Sequence, residues 1–182
     1  QLGISTVRAM DELGKEFTQS GLDTLVIINP HGPVFGDALS MPAVRELQGD
    51  FGQFGARMVG AKVEIDLALV EAIGKRSRNA DIQVVELDKR LYSWYRLKPR
   101  LDHGVLVPLY YLRKHGFDAA LVIVNIGFLP YLDLYRFGKI VTEAADELGR
   151  KIGVLASGDL SHRLKPDAPA GYNPRGREFD EL

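Results

Sequence analysis

Histidine is the side chain best suited to acid–base and metal chemistry near neutral pH, and this chain contains four histidines. Three of them fall between predicted elements. His31 stands in Asn-Pro-His-Gly-Pro after an apolar run, His103 follows Asp102, and His162 ends Ser-Gly-Asp-Leu-Ser-His. Imidazole and carboxylate groups without sulfur suit Fe(II), Zn, Mn or Co, or a proton-transfer pair. The pattern predicts a metal or acid–base site if these segments meet.

Each of the three histidines also has a simpler interpretation. His31 could be a polar turn residue after a strand, and His103 with Asp102 could be a surface capping pair. His162 could be a loop residue held by hydrogen bonds to Ser161 or Asp159. Convergence of the three imidazoles at one cavity, with carboxylates beside them, is the observation that would favour a shared site over three separate structural roles.

A central sheet would have to bring these loops together. Apolar runs predict strands, and apolar residues spaced by three and four predict amphipathic helices. The predicted strands are 22–28, 83–87, 119–126 and 151–156, and the predicted helices are 4–19, 66–79, 104–114 and 132–149. Short apolar strands alternating with helices are typical of an α/β domain with three layers, in which helices cover both faces of a mostly parallel or mixed sheet. Such sheets bind ligands outside the carboxyl ends of their strands.

Other segments have weaker patterns. Residues 37–63 contain four glycines and no clear period, which predicts a long excursion with a strand or hairpin near 37–41 and another near 57–64. The aromatic cluster at 91–95 is predicted as a loop beside the site, either a pocket wall, a subunit contact or part of the core. The last residues, 178–182, read as the start of a helix.

Composition narrows the function classes. The chain has 182 residues, of which 46% are hydrophobic, and it is interpreted as one domain, 1–182, that looks truncated at both ends. With 23 basic and 24 acidic residues and a net charge of −1, nucleic acid and anionic membrane are not expected partners. The absence of cysteine excludes thiolate sites and is typical of a cytoplasmic protein. Dinucleotide, phosphate-loop, zinc-protease and serine-elbow motifs are also absent.

Three blocks of sequence carry a family resemblance. They are NPHGPVF after the first strand, LDHGVLVPLYYL in the middle, and SGDLSHRL followed by PAGYNPRGREFDEL near the end. In this order they resemble the class III extradiol ring-cleavage dioxygenase superfamily, in its catalytic B-subunit-like branch. More narrowly, they are similar to the N-terminal domain of AmmeMemoRadiSam system protein A and to Memo-like proteins.

The resemblance implies a non-haem Fe(II) site and ring opening of a catecholic substrate with O₂. It implies that His31 is a metal ligand, that His162 is the catalytic acid–base residue, and that His103 is a catalytic-site histidine contacting substrate or bound oxygen. Asp102 and Asp159 are expected at substrate-binding positions, where they would orient His103 and His162. The family's other two metal ligands, a histidine and a carboxylate, match no residue here, so Fe(II) is expected in the complete protein and need not bind this segment alone.

The expected partners are a small aromatic substrate, O₂, an AMMECR1-type domain and another copy of the chain in a homo-oligomer. Two alternatives come from different function classes. The first is a Memo-like adaptor, metal-binding or metal-free, that works with AMMECR1-type and radical-enzyme partners and has no dioxygenase activity. The second is a metal-dependent hydrolase that uses the same histidines around zinc.

Overall fold

The computed structural model describes residues 3–168 and 170–182, in which helices and strands alternate along most of the chain. The helices are α1 (Ile4–Gln19), α2 (Leu67–Asn79), α3 (Lys89–Trp94), α4 (His103–Lys114), α5 (Tyr131–Glu147) and α6 (Arg175–Asp180). The strands are β1 (Thr24–Asn29), β2 (Leu39–Pro42), β3 (Glu46–Phe51), β4 (Ala56–Glu64), β5 (Val84–Leu87), β6 (Ala120–Asn125) and β7 (Ile152–Ala156), and a 3₁₀ turn, Gly52–Phe54, joins β3 to β4.

The central sheet is mixed, as the sequence predicts. Its five strands lie in the order β5-β2-β6-β1-β7. Strand β1 is parallel to both β6 and β7, whereas β2 is antiparallel to β6 and parallel to β5. Because β1 has a parallel neighbour on each side and helices above and below, its residues 25–27 are at most 1% exposed, which explains their continuously apolar character.

Helices cover both faces of the sheet, so the domain has three layers. Val154 and Leu155 are successive residues of β7 and therefore point to opposite faces. Val154 shares a cavity wall with α5 residues, and Leu155 shares another with residues of α1 and α4. Helix α2 packs against α5, and α1 packs against α4. The predicted three-layer α/β architecture is thus confirmed.

The four predicted helices and four predicted strands agree with the structure to within two residues at each end. Two predicted helix starts are also confirmed in detail, because the Asp66 carboxylate accepts a hydrogen bond from Leu69 N at 3.1 Å and Asp102 accepts one from Gly104 N at 2.8 Å. Both are side-chain caps that satisfy a backbone N–H group left free at the start of a helix.

The strands expected near 37–41 and 57–64 are confirmed as β2, which joins the central sheet, and β4, which pairs with β3 in a separate antiparallel sheet. Two other predictions need correction. The loop expected at 91–95 is mostly helix α3, since Asp88 caps it by accepting from Leu91 N at 2.7 Å and Tyr92 is 4% exposed. The last helix begins at Arg175, three residues before the expected start at Glu178.

The amino end of β1 is tied down by a buried ionic cluster. Asp66 Oδ2 accepts from Thr24 Oγ1 at 2.7 Å and from Arg150 Nε at 3.0 Å, and the Asp66 side chain is 7% exposed. Burial opposes ionisation of this carboxyl, but the hydrogen bonds from Thr24, Leu69 and Arg150 outweigh it and hold the pKa of Asp66 below its usual 3.8. The cluster joins α2, β1 and the segment before β7.

No helix among residues 3–168 and 170–182 combines the length and the apolar character needed to cross a lipid bilayer.

Candidate active site

Asn29, the last residue of β1, connects the segments that carry His31 and His103. Its side chain is buried, with 1% of the residue exposed. Asn29 Nδ2 donates to Asp102 Oδ2 at 2.8 Å and to Asn125 Oδ1 at 2.9 Å, while Asn29 Oδ1 accepts from the backbone N–H of His31 at 3.3 Å. One amide therefore holds the turn after β1 and the start of α4 in a common frame.

The network continues to the far side of the His31 turn. Asn125 Nδ2 donates to Ser40 Oγ at 3.1 Å, and Ser40 Oγ donates to the Pro33 carbonyl at 2.8 Å. A Cβ atom at Gly32 would overlap Asn125 Oδ1, so glycine is required for this close approach. The turn is held from both sides, and the fixed φ angles of its two prolines add stiffness. This arrangement explains why the strand ends in Asn-Pro-His-Gly-Pro.

Asp102 positions His103 through the backbone rather than through the ring. Its Oδ1 accepts from Gly104 N and its Oδ2 from Asn29, and no hydrogen bond joins it to the His103 imidazole in the part of the chain that the structure describes. A Cβ atom at Gly104 would come within 3.0 Å of His31 Cδ2. Glycine at this position therefore lets the His31 ring approach the first turn of α4.

The imidazoles of His31 and His103 lie against each other, with ring centroids 4.0 Å apart and planes tilted by 31°. Phe54, at the tip of the β3–β4 pair, packs edge-on against His103 at 5.4 Å. His31 also contacts a carboxylate, because its Nε2 lies 3.0 Å from Oδ2 of Asp159 in the loop after β7. Segments after β1 and β7 and the start of α4 thus bring two imidazoles and one carboxylate together.

These three side chains line one cavity of about 280 Å³. The remaining wall is mostly apolar and comes from α1, α4 and the end of β7, with the side chains of Met10, Leu13, Val107, Pro108 and Leu155. An apolar cavity with a few convergent polar groups is typical of small-molecule sites. Its position, at the carboxyl end of β1 and β7, agrees with the expectation for an open α/β sheet.

His162 lies near this group but does not line the cavity. Its Nε2 is 3.9 Å from Asp159 Oδ2, and its side chain is 63% exposed. It faces a separate surface depression formed with Leu164 and Lys165. Asp159, which was expected to orient His162, lies between the imidazoles of His31 and His162 and is closer to His31. The structure therefore brings His31, His103 and Asp159 to one cavity, and His162 to its edge.

Comparison with known proteins decides the family. Residues 3–182 match the family model described as the catalytic LigB subunit of aromatic ring-opening dioxygenase. This chain belongs to the LigB family. The resemblance predicted from the three sequence blocks is confirmed over nearly all of the chain.

Three relatives of this LigB-family chain illustrate its range. Protein CA_C1420 of Clostridium acetobutylicum is 34% identical over 177 residues, covering 97% of this chain and 38% of that protein. The 3,4-dihydroxyphenylacetate 2,3-dioxygenase of Escherichia coli is 24% identical over 181 residues, covering 93% and 61%. A MEMO1 family protein of Thermococcus onnurineus is 26% identical over 174 residues, covering 92% and 51%. The chain spans 38% to 61% of the length of these curated relatives.

The side chains of His31 and Asp159 could supply part of a metal centre. Within residues 3–168 and 170–182, no group of three or more histidine, aspartate or glutamate side chains is arranged to hold a metal ion. The pair formed by His31 Nε2 and Asp159 Oδ2 has a separation of 3.0 Å. Two adjacent ligands of an octahedral ion with bonds of about 2.1 Å are also about 3.0 Å apart. The pair can therefore share a proton or supply two of the ligands of a metal ion.

Sequence reasoning missed Asn29, Asn125 and Phe54. A signal for the asparagines existed, because each one directly follows a run of at least four apolar residues at the end of its strand. A buried amide at that position needs hydrogen-bond partners, and those partners lie in the loops that carry the site. Phe54 gave no such signal, since its contact with His103 depends on where the β3–β4 pair packs.

Proposed function

We propose that this chain forms the catalytic domain of a non-haem Fe(II)-dependent dioxygenase that opens a catecholic ring with O₂. The observation that carries the proposal is the meeting of His31, His103 and Asp159 at one mostly apolar cavity. Membership of the LigB family supports the reaction class. The iron, the catecholic substrate and a cytoplasmic location are parts of the proposal.

His31 would supply one imidazole ligand, and Asp159 is the carboxylate nearest to it. The further ligands that an iron site needs would come from other parts of the intact protein, whose curated relatives are longer than this chain. Fe(II) bound by imidazole and carboxylate ligands supplies the electron transfer between a diol and O₂ that ring opening requires. The buried network around Asn29 would keep His31 in place whether or not the metal is bound.

His103 is suited to hold a substrate oxygen. Its ring is packed between His31 and Phe54, and no protein hydrogen bond engages its nitrogens among the residues that the structure describes. A ring nitrogen of His103 is therefore available to donate to a hydroxyl or oxyanion in the cavity. The apolar walls would exclude water and accept the flat face of an aromatic ring.

His162 would move the proton of the substrate hydroxyl. Its Nε2 can accept a proton, and the Asp159 carboxylate lies 3.9 Å from that nitrogen. Because the His162 side chain is 63% exposed, it can exchange that proton with solvent after each turnover. His162 would have to turn from its surface depression towards the cavity to reach the substrate.

The proposal can be tested on the intact protein loaded with Fe(II) in the absence of air. Catechols and O₂ are then added, and O₂ uptake is followed together with the absorbance of the yellow ring-opened product. We expect His31→Ala and His103→Ala to lower kcat/KM by about 100-fold or more, since each removes a group that touches metal or substrate. His115→Gln is the matched control, because His115 pairs with Asp11 at the other end of α4. Wild-type turnover no faster than that of free Fe(II) would refute the proposal.

A second candidate function is a Memo-like adaptor that works with an AMMECR1-type domain and a radical enzyme. The two-donor set at His31 and Asp159 favours it, because no third carboxylate or imidazole completes a cluster among residues 3–168 and 170–182. An Fe(II) titration of the intact protein that shows no binding, combined with tight binding to an AMMECR1-type domain, would support the adaptor. A zinc hydrolase would instead be recognised by zinc in protein purified from its native source.

A further inference from the structure

The segment 89–100 concentrates positive charge. No acidic residue occurs between Asp88 and Asp102, although the chain as a whole has 23 basic and 24 acidic residues. The basic residues of the segment are Lys89, Arg90, Arg96, Lys98 and Arg100. All five are exposed. A chain with balanced overall charge therefore carries one strongly basic stretch, which we call the basic strip.

The cations of the basic strip have no acidic partner among the residues that the structure describes. Arg76, by contrast, pairs with both Glu143 and Glu147 on α5. Within residues 3–168 and 170–182, none of the five basic side chains of the strip takes part in an ion pair or a side-chain hydrogen bond. The flanking carboxylates of Asp88 and Asp102 accept from backbone N–H groups at the starts of α3 and α4. The positive charge of the strip is thus available to another molecule.

Exposed aromatic rings lie among these cations. Trp94 is 79% exposed and Tyr95 is 44% exposed, whereas Tyr92 is 4% exposed and anchors α3 in the core. Tyr95 packs edge-on against Phe35 with ring centroids 5.2 Å apart. Tryptophan, tyrosine and arginine are the residues most enriched at the energetic centres of protein interfaces. The strip therefore offers an anchored surface in which a large apolar ring stands among unpaired cations.

The carboxyl-terminal part of the basic strip, residues 95–100, borders the candidate active site. Phe35, which contacts Tyr95, follows His31 by four residues, and Arg100 precedes His103 by three. Consecutive Cα atoms are about 3.8 Å apart, so the Cα atom of Arg100 lies within roughly 11 Å of that of His103. None of the five cations lines the cavity itself, so their charge serves the surface beside the cavity rather than a small substrate inside it.

We propose that the basic strip docks an acidic segment of a partner protein, with an apolar side chain of that segment packed on Trp94. Charge complementarity selects the partner, because five unpaired cations match carboxylates. A nucleic acid is disfavoured by the net charge of −1 of the chain. A membrane surface is disfavoured because α3 has six residues and buries Tyr92 and part of Leu91 in the core. This docking does not depend on the metal.

The test measures binding of a fluorescein-labelled peptide of Glu-Glu-Phe repeats to the intact protein by fluorescence anisotropy, at about 150 mM salt. A peptide of Gln-Gln-Phe repeats, a single-stranded oligothymidylate and phosphatidylserine vesicles serve as competing probes. We expect saturable binding of the acidic peptide, and binding of the neutral peptide that is at least about ten-fold weaker.

Variants locate the binding surface. We expect the triple change Arg90→Gln, Lys98→Gln and Arg100→Gln, and separately Trp94→Ala, to weaken binding by about ten-fold or more.

The matched control is Arg8→Gln, Lys15→Gln and Lys75→Gln, which removes the same charge from three exposed basic residues of α1 and α2. This control should bind the peptide as the wild type does.

Four results would overturn the proposal. They are equal weakening by the control triple variant, tighter binding of the oligothymidylate or of the vesicles than of the peptide, no binding of the acidic peptide, and burial of the strip by self-association. Light scattering of the wild type and of the Trp94→Ala variant detects the last of these. Because the assay reads binding without turnover, it can succeed or fail independently of the proposed dioxygenase activity.

Discussion

The two ends of β1 carry buried polar clusters of different chemistry. At the amino end, Asp66 receives hydrogen bonds from Thr24, Leu69 N and Arg150, so its charge is neutralised within the protein. At the carboxyl end, the cluster is built around the amide of Asn29 and has no cation. Two imidazoles and the carboxylate of Asp159 are left facing a cavity. At the amino end the polar groups pair with one another, whereas at the carboxyl end the Asn29 amide and the Asp102 carboxylate hold segments whose imidazoles face a cavity.

This difference separates stability from chemistry along a single strand. A buried carboxylate with three donors is costly to disturb, because removing one partner leaves desolvated groups unpaired. The amide of Asn29 holds the His31 turn and Asp102 without itself carrying a charge, and the imidazoles of His31 and His103 face the cavity. The comparison predicts that substitutions at the amino end of β1 will change the stability of the fold, whereas substitutions at its carboxyl end will also change metal affinity.

The largest effect on folding is expected at the amino end. Asp66→Ala removes the cap of α2 and the buried partner of Thr24 and Arg150, and we expect it to lower the free energy of unfolding by about 3 kcal/mol. Urea unfolding measures this change. Asp118→Ala, at a side chain that is 93% exposed, is the control and should cost less than about 0.5 kcal/mol. A loss at Asp66 no larger than at Asp118 would remove the distinction between the two ends.

An intermediate effect is expected at the carboxyl end. Asn29→Asp replaces the Nδ2 donor with an acceptor facing Asp102 Oδ2, which is 2.8 Å away in the wild type. We expect the free energy of unfolding to fall by about 2 kcal/mol at neutral pH. Unlike Asp66→Ala, this change should also lower the affinity of the site for Fe(II) or Co(II), since the His31 turn loses its support. A stability loss with unchanged metal affinity would show that the network does not position His31.

The smallest effect is the acid dependence of stability. The folded-state pKa of Asp66 lies below its usual 3.8 because hydrogen bonds from Thr24, Leu69 and Arg150 outweigh the cost of burial. Its ionisation therefore stabilises the fold fully above pH 3.8, and this contribution is lost as the pH falls through the lower folded-state pKa.

Urea midpoints measured between about pH 2 and pH 6 should fall less steeply for Asp66→Asn than for the wild type. Parallel curves would place the acid sensitivity elsewhere in the protein.

Four helices and four strands were predictable because the apolar pattern of each one extends over enough residues to be recognised. Helix α3 was missed since its six residues complete fewer than two turns, and its aromatic residues suit a loop equally well. Strand β3 contains a glycine and has only one buried residue, Leu47. Its sequence therefore shows no clear alternation of apolar and polar residues, and its pairing with β4 could not be predicted. The caps at Asp66 and Asp102 were predictable because capping is a local interaction.

The predicted location of His103 at the site is correct, but the chain reaches that location by a different path from the one that the strand pattern suggests. The predicted strand 83–87, which is β5, precedes His103, and a fully parallel sheet would place its carboxyl end at the same edge as that of β1. In the structure β5 is parallel to β2 and therefore antiparallel to β6, so its carboxyl end lies at the opposite edge of the sheet. Helix α3 and residues 95–102 return the chain to the edge where His31 lies.

His162 shows the opposite outcome. Its loop follows β7 to the expected edge of the sheet, yet its side chain is largely exposed. The loop is anchored to α6, because Ser161 N donates to Asp180 Oδ1 at 2.7 Å. That contact spans nineteen residues of sequence and leaves no local pattern.

The sequence by itself determined the longer helices, most strands of the central sheet, the caps at Asp66 and Asp102, the family and the stiff turn that carries His31, because periodicity, capping and proline act over a few neighbouring residues. Only the tertiary structure decided which imidazoles share a cavity, which carboxylate lies beside His31, and that Asn29 joins the two segments. Those contacts depend on strand order and loop paths, which are set by packing between residues far apart in the chain.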